Sequence, residues 1–143
     1  IVGNGEELEI LKEQVNLLGL EEQVRFVTNA SDDELSEIYQ ASDLFVLPSI
    51  NEAEAFGVVQ LEAMANGLPV INTNLDSGVP FVSLNDFSGI TVEPKCAISL
   101  KSAIERIIEN KELYELFSAN AIERVGLFTR RKMSESYLEV YNA

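Results

Sequence analysis

Two acids eight positions apart, Glu54 and Glu62, stand on either side of the turn Ala55-Phe56-Gly57 in the stretch Ser49 to Gly67. Before that stretch, Leu44 to Leu47 is apolar, aromatic and β-branched in the manner of a buried strand, and Pro48 ends it. Residues 57–66 then have helical spacing, with Val58, Leu61 and Ala65 on one stripe, and Asn66-Gly67 followed by Pro69 is a helix stop. A helix that opens just past the carboxyl end of a parallel strand offers unpaired N–H groups and the positive end of its dipole. Here these fall at Phe56, Gly57 and Val58, and the expected guest is an anion. Gly57 lets the backbone approach a ligand closely. Glu54 lies in the loop before the helix and Glu62 a turn and a half inside it, so the two carboxylates can bracket one bound molecule. Simpler readings stand beside this one. An acid at a helix start is favoured by the dipole by about 0.3 to 1 kcal/mol with no ligand at all, which would account for Glu54. Glu is also a good helix former on a solvated stripe, although Val58, Val59 and Ala65 are odd company for a carboxylate that merely faces water.

The elements that would hold these residues alternate along the chain. Ile1-Val2 reads as the end of a strand, Gly3 and Gly5 as a turn, and Leu8, Leu11, Val15 and Leu18 as one face of a helix over residues 5–18 that Gly19 stops. Val24 to Val27 is a second strand. Ser31 followed by Glu34 fits a capping box opening a short helix through Leu35, Ile38 and Tyr39. Val70 to Thr73 and Ile90 to Val92 are further strands, and after Pro94 the pattern is helical over residues 98–109, 111–126 and 130–141. The spacing predicts an α/β fold, a Rossmann-like and mostly parallel sheet flanked by helices. The chain opens at Ile1 inside an apolar stretch, as the tail of a strand whose beginning is absent, and is expected to be a piece of something longer.

Composition narrows the chemistry. In 143 residues, 46% apolar and 24% charged, there is enough to close a core. Ten Lys and Arg against 24 Asp and Glu give a net charge of -14, which disfavours a nucleic-acid or anionic-membrane partner. With the single cysteine Cys96 and no His, no internal disulfide, zinc cluster or histidine triad can be assembled. Catalysis must run on carboxylates, backbone dipoles or borrowed groups, and neither metal nor cofactor is expected. No apolar run approaches the roughly 20 residues that cross a bilayer, and no basic leader with a cleavage site opens the chain. A reducing, cytoplasmic compartment is the expectation.

Gly3-x-Gly5, Leu18-Gly19-Leu20, Val24-x-Phe26, Glu34-Leu35 with Tyr39, Asp43 to Ser49, Glu54 to Gly57, Leu61 to Ala65, Gly67-x-Pro69-Val70-Ile71, Gly78 and Gly89 follow one another in a familiar order and spacing. Over about residues 1 to 140 the chain resembles the retaining glycosyltransferases of the GT-B fold, family GT4, with their Glu-x7-Glu signature. Asn51 to Gly57, Asn72 to Asn74 and Ser77 to Pro80 look most like bacterial enzymes that build cell-surface polysaccharide or lipopolysaccharide.

The resemblance implies a carboxyl-terminal, donor-binding half of a GT-B fold with its first strand missing. Residues 1–128 would be the nucleotide-sugar-binding domain, and 129–143 a helix that crosses to an N-terminal acceptor domain lying outside this chain. The parent would move a sugar from a nucleoside diphosphate to a hydroxyl with retention at the anomeric carbon. Glu54 would be the catalytic-site acid that holds hydroxyls of the donor sugar, and Glu62 would accept from the ribose hydroxyls. A carboxylate suits both tasks, being acceptor-only when ionised and able to take two O–H donors. Backbone groups from Ala55 through Phe56 and Gly57 to Val58 would meet sugar and diphosphate, and Thr28 and Asn29 would line the base. Relatives usually carry Gly where Thr28 stands, and the acid that often follows the Gly78 loop is replaced here by Phe81 or Val82.

A nucleoside diphosphate adds about two negative charges, yet no basic residue lies between Arg25 and Lys95. The family supplies an Arg and a Lys from upstream, so the 143 residues alone are expected to bind donor weakly and transfer nothing. Loss of a central strand leaves edges that invite self-association. The parent is expected in the cytoplasm or peripheral at the inner membrane. The apolar Met133, Tyr137, Val140 and Tyr141 of the last helix are expected exposed or packed on a neighbour, or else folded onto their own domain.

Rival readings are an epimerase or phosphorylase on the same two-domain plan, and an acidic flavodoxin-like receiver. The receiver needs an Asp at the carboxyl end of a central strand, where Pro48-Ser49 stands. Gly3-Asn4-Gly5 lacks the third Gly of a dinucleotide fingerprint, Cys96 has no base at hand, and Asp32-Asp33 are first-turn acids.

Overall fold

The computed structural model describes residues 1–142, which form two compact units, Ile1–Ile38 and the chain from Tyr39 onward. In the first unit, helix α1 spans Leu8–Leu17 and the chain reverses at Gly19, whose φ of +65° is left-handed. The two strands expected at Ile1-Val2 and Val24–Val27 shrink to a single parallel bridge between Val2 and Val27. Val27 N–H donates to Ile1 O, and Gly3 N–H donates to Val27 O, each at 2.9 Å.

Helix α2, Asp32–Gln40, opens with the expected capping box. Glu34 N–H donates to Ser31 Oγ at 3.3 Å, and Ser31 N–H donates to Glu34 Oε2 at 2.8 Å. Those bonds from Ser31 hold the Glu34 carboxyl below its usual pKa.

The second unit is built on strands β1 (Phe45–Leu47), β2 (Val70–Thr73) and β3 (Gly89–Val92), all parallel in the order β1-β2-β3. Val46 lies opposite Ile71, and Ile71 opposite Ile90. Helix α3 (Val58–Ala65) connects β1 to β2, a single turn α4 (Val79–Val82) lies between β2 and β3, and α5 (Ala97–Ile108), α6 (Lys111–Val125) and α7 (Arg130–Tyr141) follow. This is the mostly parallel, helix-flanked α/β sheet that the sequence implies. All four residues of β2 are buried, as a central parallel strand covered on both faces requires. On one face Ile71, Ile90 and Val92 pack beneath Ala103 and Ile107 of α5 and Phe117 of α6. Asn110 and Thr129 cap the last two helices, accepting from the N–H groups of Leu113 and Lys132.

Three details differ from or sharpen the sequence reading. The turn α4 escapes it because four residues containing Pro80 carry no helical period. Helix α3 buries Gln60, Ala63 and Met64 rather than the stripe of Val58, Leu61 and Ala65, and Val58 is 58% exposed. The small Ala63 lets α3 lie close to its neighbours, while Gln60 turns inward to a polar partner on β2. Helix α7 buries no residue, so Met133, Tyr137, Val140 and Tyr141 are exposed. Among the described residues no helix is long and apolar enough to cross a membrane.

Candidate functional site: an acid-flanked helix start

Strand β1 delivers the chain through Pro48 to a loop anchored at its base, where Thr73 Oγ1 at the end of β2 donates to Ser49 O at 2.6 Å. Asn51 Oδ1 accepts from Ala53 N–H at 3.0 Å, an Asx turn that folds the loop back on itself. Glu54 follows, half-buried, and its Oε1 accepts from the N–H of Gly57 at 3.0 Å. The acid therefore satisfies an orphan amide at the start of α3 and is oriented by it. The expectation that the amides of Phe56, Gly57 and Val58 lie open to a ligand is thereby narrowed: the Gly57 N–H is taken by the protein's own carboxylate.

Gly57 is buried and left-handed, at φ 74° and ψ 55°. A Cβ there would lie 2.6 Å from Gln60 Nε2 and 2.9 Å from Leu47 Cδ2, so no side chain fits. The turn is also held from the far side. Gly78 N–H donates to Ala55 O at 2.7 Å, and a Cβ on Gly78 would meet Phe56 Cδ2 at 2.7 Å. Gln60 Nε2 donates to Phe56 O at 3.4 Å and Val79 O at 3.2 Å. Ala55 itself and Val58 are exposed and Phe56 is half-buried.

Beneath the turn lies a wholly protein-satisfied polar network. Asn72 Nδ2 donates to Gln60 Oε1 at 2.9 Å and to the carbonyls of Val79 and Ser83 at 3.1 Å, while Thr91 Oγ1 donates to Asn72 Oδ1 at 2.7 Å. Among the described residues no buried side-chain nitrogen or oxygen lacks a partner. The sequence shows Gln60 and Asn72 only as polar residues amid apolar ones; their pairing comes from bringing α3 over β2.

A cation also lies behind the turn, which the sequence interval without basic residues conceals. The Phe56 ring meets Phe128 edge-on at 6.0 Å, and Phe128 meets Phe81 at 5.8 Å. The Arg124 guanidinium, carried by α6, sits 5.3 Å from the centroids of both Phe81 and Phe128 and donates to the carbonyls of Val82 and Phe81. Burial lowers its pKa.

Glu62 is exposed on α3, and its Oε2 accepts from the Tyr39 hydroxyl at 2.9 Å. Tyr39, 7% exposed, has its ring centroid 6.0 Å from that of Phe45. Burial first, and then the bond to Glu62, push the phenol well above its ordinary pKa, so it is a donor at neutral pH. The pairing of Tyr39 with Glu62 is one that spacing along the chain does not reveal.

Two open hollows border this region. One, of about 310 Å³, lies at the carboxyl ends of the strands among Pro48, Ile50, Thr73, Glu93, Lys95 and Cys96. The other, of about 640 Å³, is an apolar groove between α3 and α7 lined by Phe56, Val58, Leu61, Phe128, Met133 and Tyr137. Glu54 and Glu62 line neither; each is fixed by its own protein partner. Thr28, half-buried, and Asn29, exposed, lie in a bend after Val27 in the first unit. Among the described residues no three His, Cys, Asp or Glu side chains are grouped to hold a metal ion.

Parallel strands with a helix start at their carboxyl edge define an α/β domain of the ligand-binding kind. The chain belongs to the Glycosyl transferases group 1 family, which matches residues 1–124. It is 31% identical over 124 residues to a D-inositol 3-phosphate glycosyltransferase of Corynebacterium diphtheriae, covering 87% of this chain and 28% of that protein. Sucrose-phosphate synthase from Thermosynechococcus elongatus superposes with a TM-score of 0.82 at 31% identity, over 96% of this chain and 35% of that one. The Anabaena protein HepE, solved in complex with UDP-glucose, gives a TM-score of 0.82 at 25% identity over 96% of this chain and 40% of that one. The chain thus spans well under half the length of each. The resemblance read from the motifs holds at the level of family and fold.

Proposed function

We propose that this chain is the donor-binding part of a retaining, GT4-type hexosyltransferase that moves a sugar from a nucleoside diphosphate to a hydroxyl acceptor. Residues 1–128 are the nucleotide-sugar-binding portion in this reading, and the segment from 129 on belongs with the acceptor half. The observation that carries it is the Glu54-to-Gly57 helix start at the carboxyl end of β1, with Glu62 further along the same helix. Glu54, held through Oε1, presents its second oxygen to hydroxyls of the donor sugar and orients the anomeric carbon. The Ala55–Val58 backbone borders sugar and diphosphate, Glu62 takes the ribose hydroxyls, and Thr28 and Asn29 line the base. The chain offers its residues for orientation and charge stabilisation of an oxocarbenium-like transition state, with no metal or cofactor called upon.

The likeness of Asn51 to Gly57 and Asn72 to Asn74 to polysaccharide- and lipopolysaccharide-building enzymes supports a cell-surface glycan as acceptor. We place the full-length enzyme in the cytoplasm or peripheral at the inner membrane. The 143 residues alone bind donor weakly, are prone to self-association and transfer nothing.

Steady-state kinetics of the full-length enzyme test the two acids separately. Glu54→Ala is expected to lower kcat strongly, since orienting contacts are realised in the transition state. Glu62→Ala is expected chiefly to raise the donor KM, about tenfold to a hundredfold for a lost charged hydrogen-bond acceptor. Wild-type kinetics in both variants would refute the assignment, and turnover by the 143 residues alone would refute the division of labour.

A further inference from the structure

The Tyr39–Glu62 hydrogen bond joins a donor on the inside of the domain to an acceptor on its surface. Tyr39 is 7% exposed, whereas Glu62 stands on the exposed side of α3, and the bond between Tyr39 Oη and Glu62 Oε2 is 2.9 Å. We propose that Tyr39 is a positioning residue for donor binding, which fixes the Glu62 carboxylate in one rotamer before the nucleotide arrives. The inference rests on the reading of Glu62 as the ribose-binding acid and adds to it the group that sets its geometry.

Four points support the role. An exposed glutamate is spread over several rotamers, and freezing it on a ligand has an entropic cost that a preformed bond removes in advance. The tyrosine is itself immobilised, by burial and by its ring against Phe45, so it can impose a geometry rather than follow one. An ionised carboxylate has about four acceptor directions on two oxygens, so the phenol leaves Oε1 and part of Oε2 for vicinal hydroxyls. The raised pKa of the phenol keeps its proton in place across the working pH range of such enzymes.

The expected signature is uniform binding, the same bond serving ground state and transition state. In the full-length enzyme, Tyr39→Phe keeps the ring and removes only the hydroxyl. With whichever of UDP, GDP and ADP the wild type binds as probe, its Kd is expected to rise about three- to tenfold, and the donor KM with it, while kcat stays within about twofold. In the Glu62→Ala background the same substitution is expected to change nothing further. Equal losses in both backgrounds, or a loss confined to kcat, would mean that Tyr39 acts as scaffold and overturn the proposal. A weakened Glu62→Ala beside an unchanged Tyr39→Phe would overturn the positioning role alone. An unchanged Glu62→Ala would overturn the ribose reading as well. Should Tyr39→Phe not fold, Glu62→Asp supplies the second variant. Its arm is too short to keep both bonds, and affinity near that of Glu62→Ala supports positioning, while near-wild-type affinity contradicts it.

Discussion

Asn72 Nδ2 donates to Gln60 Oε1 across 2.9 Å, with both side chains almost wholly removed from solvent. This bond pins the helix that carries the site to the central strand of the sheet, and the same amide holds the carbonyls of Val79 and Ser83. Asn72→Leu would take the Asn72 partner from Gln60 Oε1, the Ser83 carbonyl and the Thr91 hydroxyl at once, while Val79 O keeps its bond from Gln60 Nε2. A loss of about 2 to 4 kcal/mol is expected in urea unfolding. Replacing Gln60 and Asn72 together by Leu should cost less than the sum of the single changes, because each single variant strands the partner.

Gly57 and Gly78 clamp the turn between them. Gly57→Ala places a Cβ 2.6 Å from Gln60 Nε2 at φ 74°, and Gly78→Ala places one 2.9 Å from Ala55 O. Each is expected to destabilise by about 1 to 3 kcal/mol, measured by thermal melting. Gly57→Ala is also expected to weaken donor binding, because the amide that orients Glu54 moves. A variant as stable as wild type with unaltered donor affinity would show that the turn has another conformation within reach.

What was legible in the sequence and what was not divides along a physical line. The capping box at Ser31 and Glu34 is a local contract between residues three apart, and it formed as spaced. So did the strands Val70–Thr73 and Gly89–Val92 and the three last helices, whose periods are long enough to count. The buried face of α3 differs from the one its spacing suggests because Gln60 looks like a surface residue until Asn72, twelve positions on, is brought beneath it. Arg124 and Tyr39 reach the site from 68 and 23 positions away, counted to Phe56 and Glu62, and no periodicity links them to it. The acids Glu54 and Glu62 were visible as residues; that each is tethered by a protein donor was not.

The pH dependence of the first unit follows from Glu34. Its carboxyl is held below the ordinary value of 4.5 by the backbone and side-chain bonds from Ser31. A folded-state pKa below the unfolded one means that this contribution is fully present above pH 4.5 and is lost as pH falls through the folded value. Ser31→Ala removes the hydroxyl bond and keeps the larger backbone one, so it should return Glu34 part of the way toward its ordinary titration, read by carbon-detected NMR. An unaltered titration in that variant would contradict the side-chain share of the shift.

Helix α7 is expected to be energetically loose in the 143 residues alone. Val140 and Tyr141 are 77% and 84% exposed, so Val140→Ala and Tyr141→Ala should each change unfolding free energy by less than about 0.5 kcal/mol. In the full-length enzyme, where this helix is proposed to meet the acceptor half, the same substitutions should lower the Tm measurably. Equal behaviour in both proteins would contradict that docking.

Direct titration of UDP-, GDP- and ADP-sugars against the full-length protein, beside Glu54→Ala and Glu62→Ala, tests most plainly whether the acids flanking α3 hold an activated sugar. At least one donor should bind the wild type, with its affinity reduced in both variants and reduced more by Glu62→Ala when the bare nucleoside diphosphate replaces the sugar. Equal affinities for wild type and both variants across all the nucleotides would contradict it.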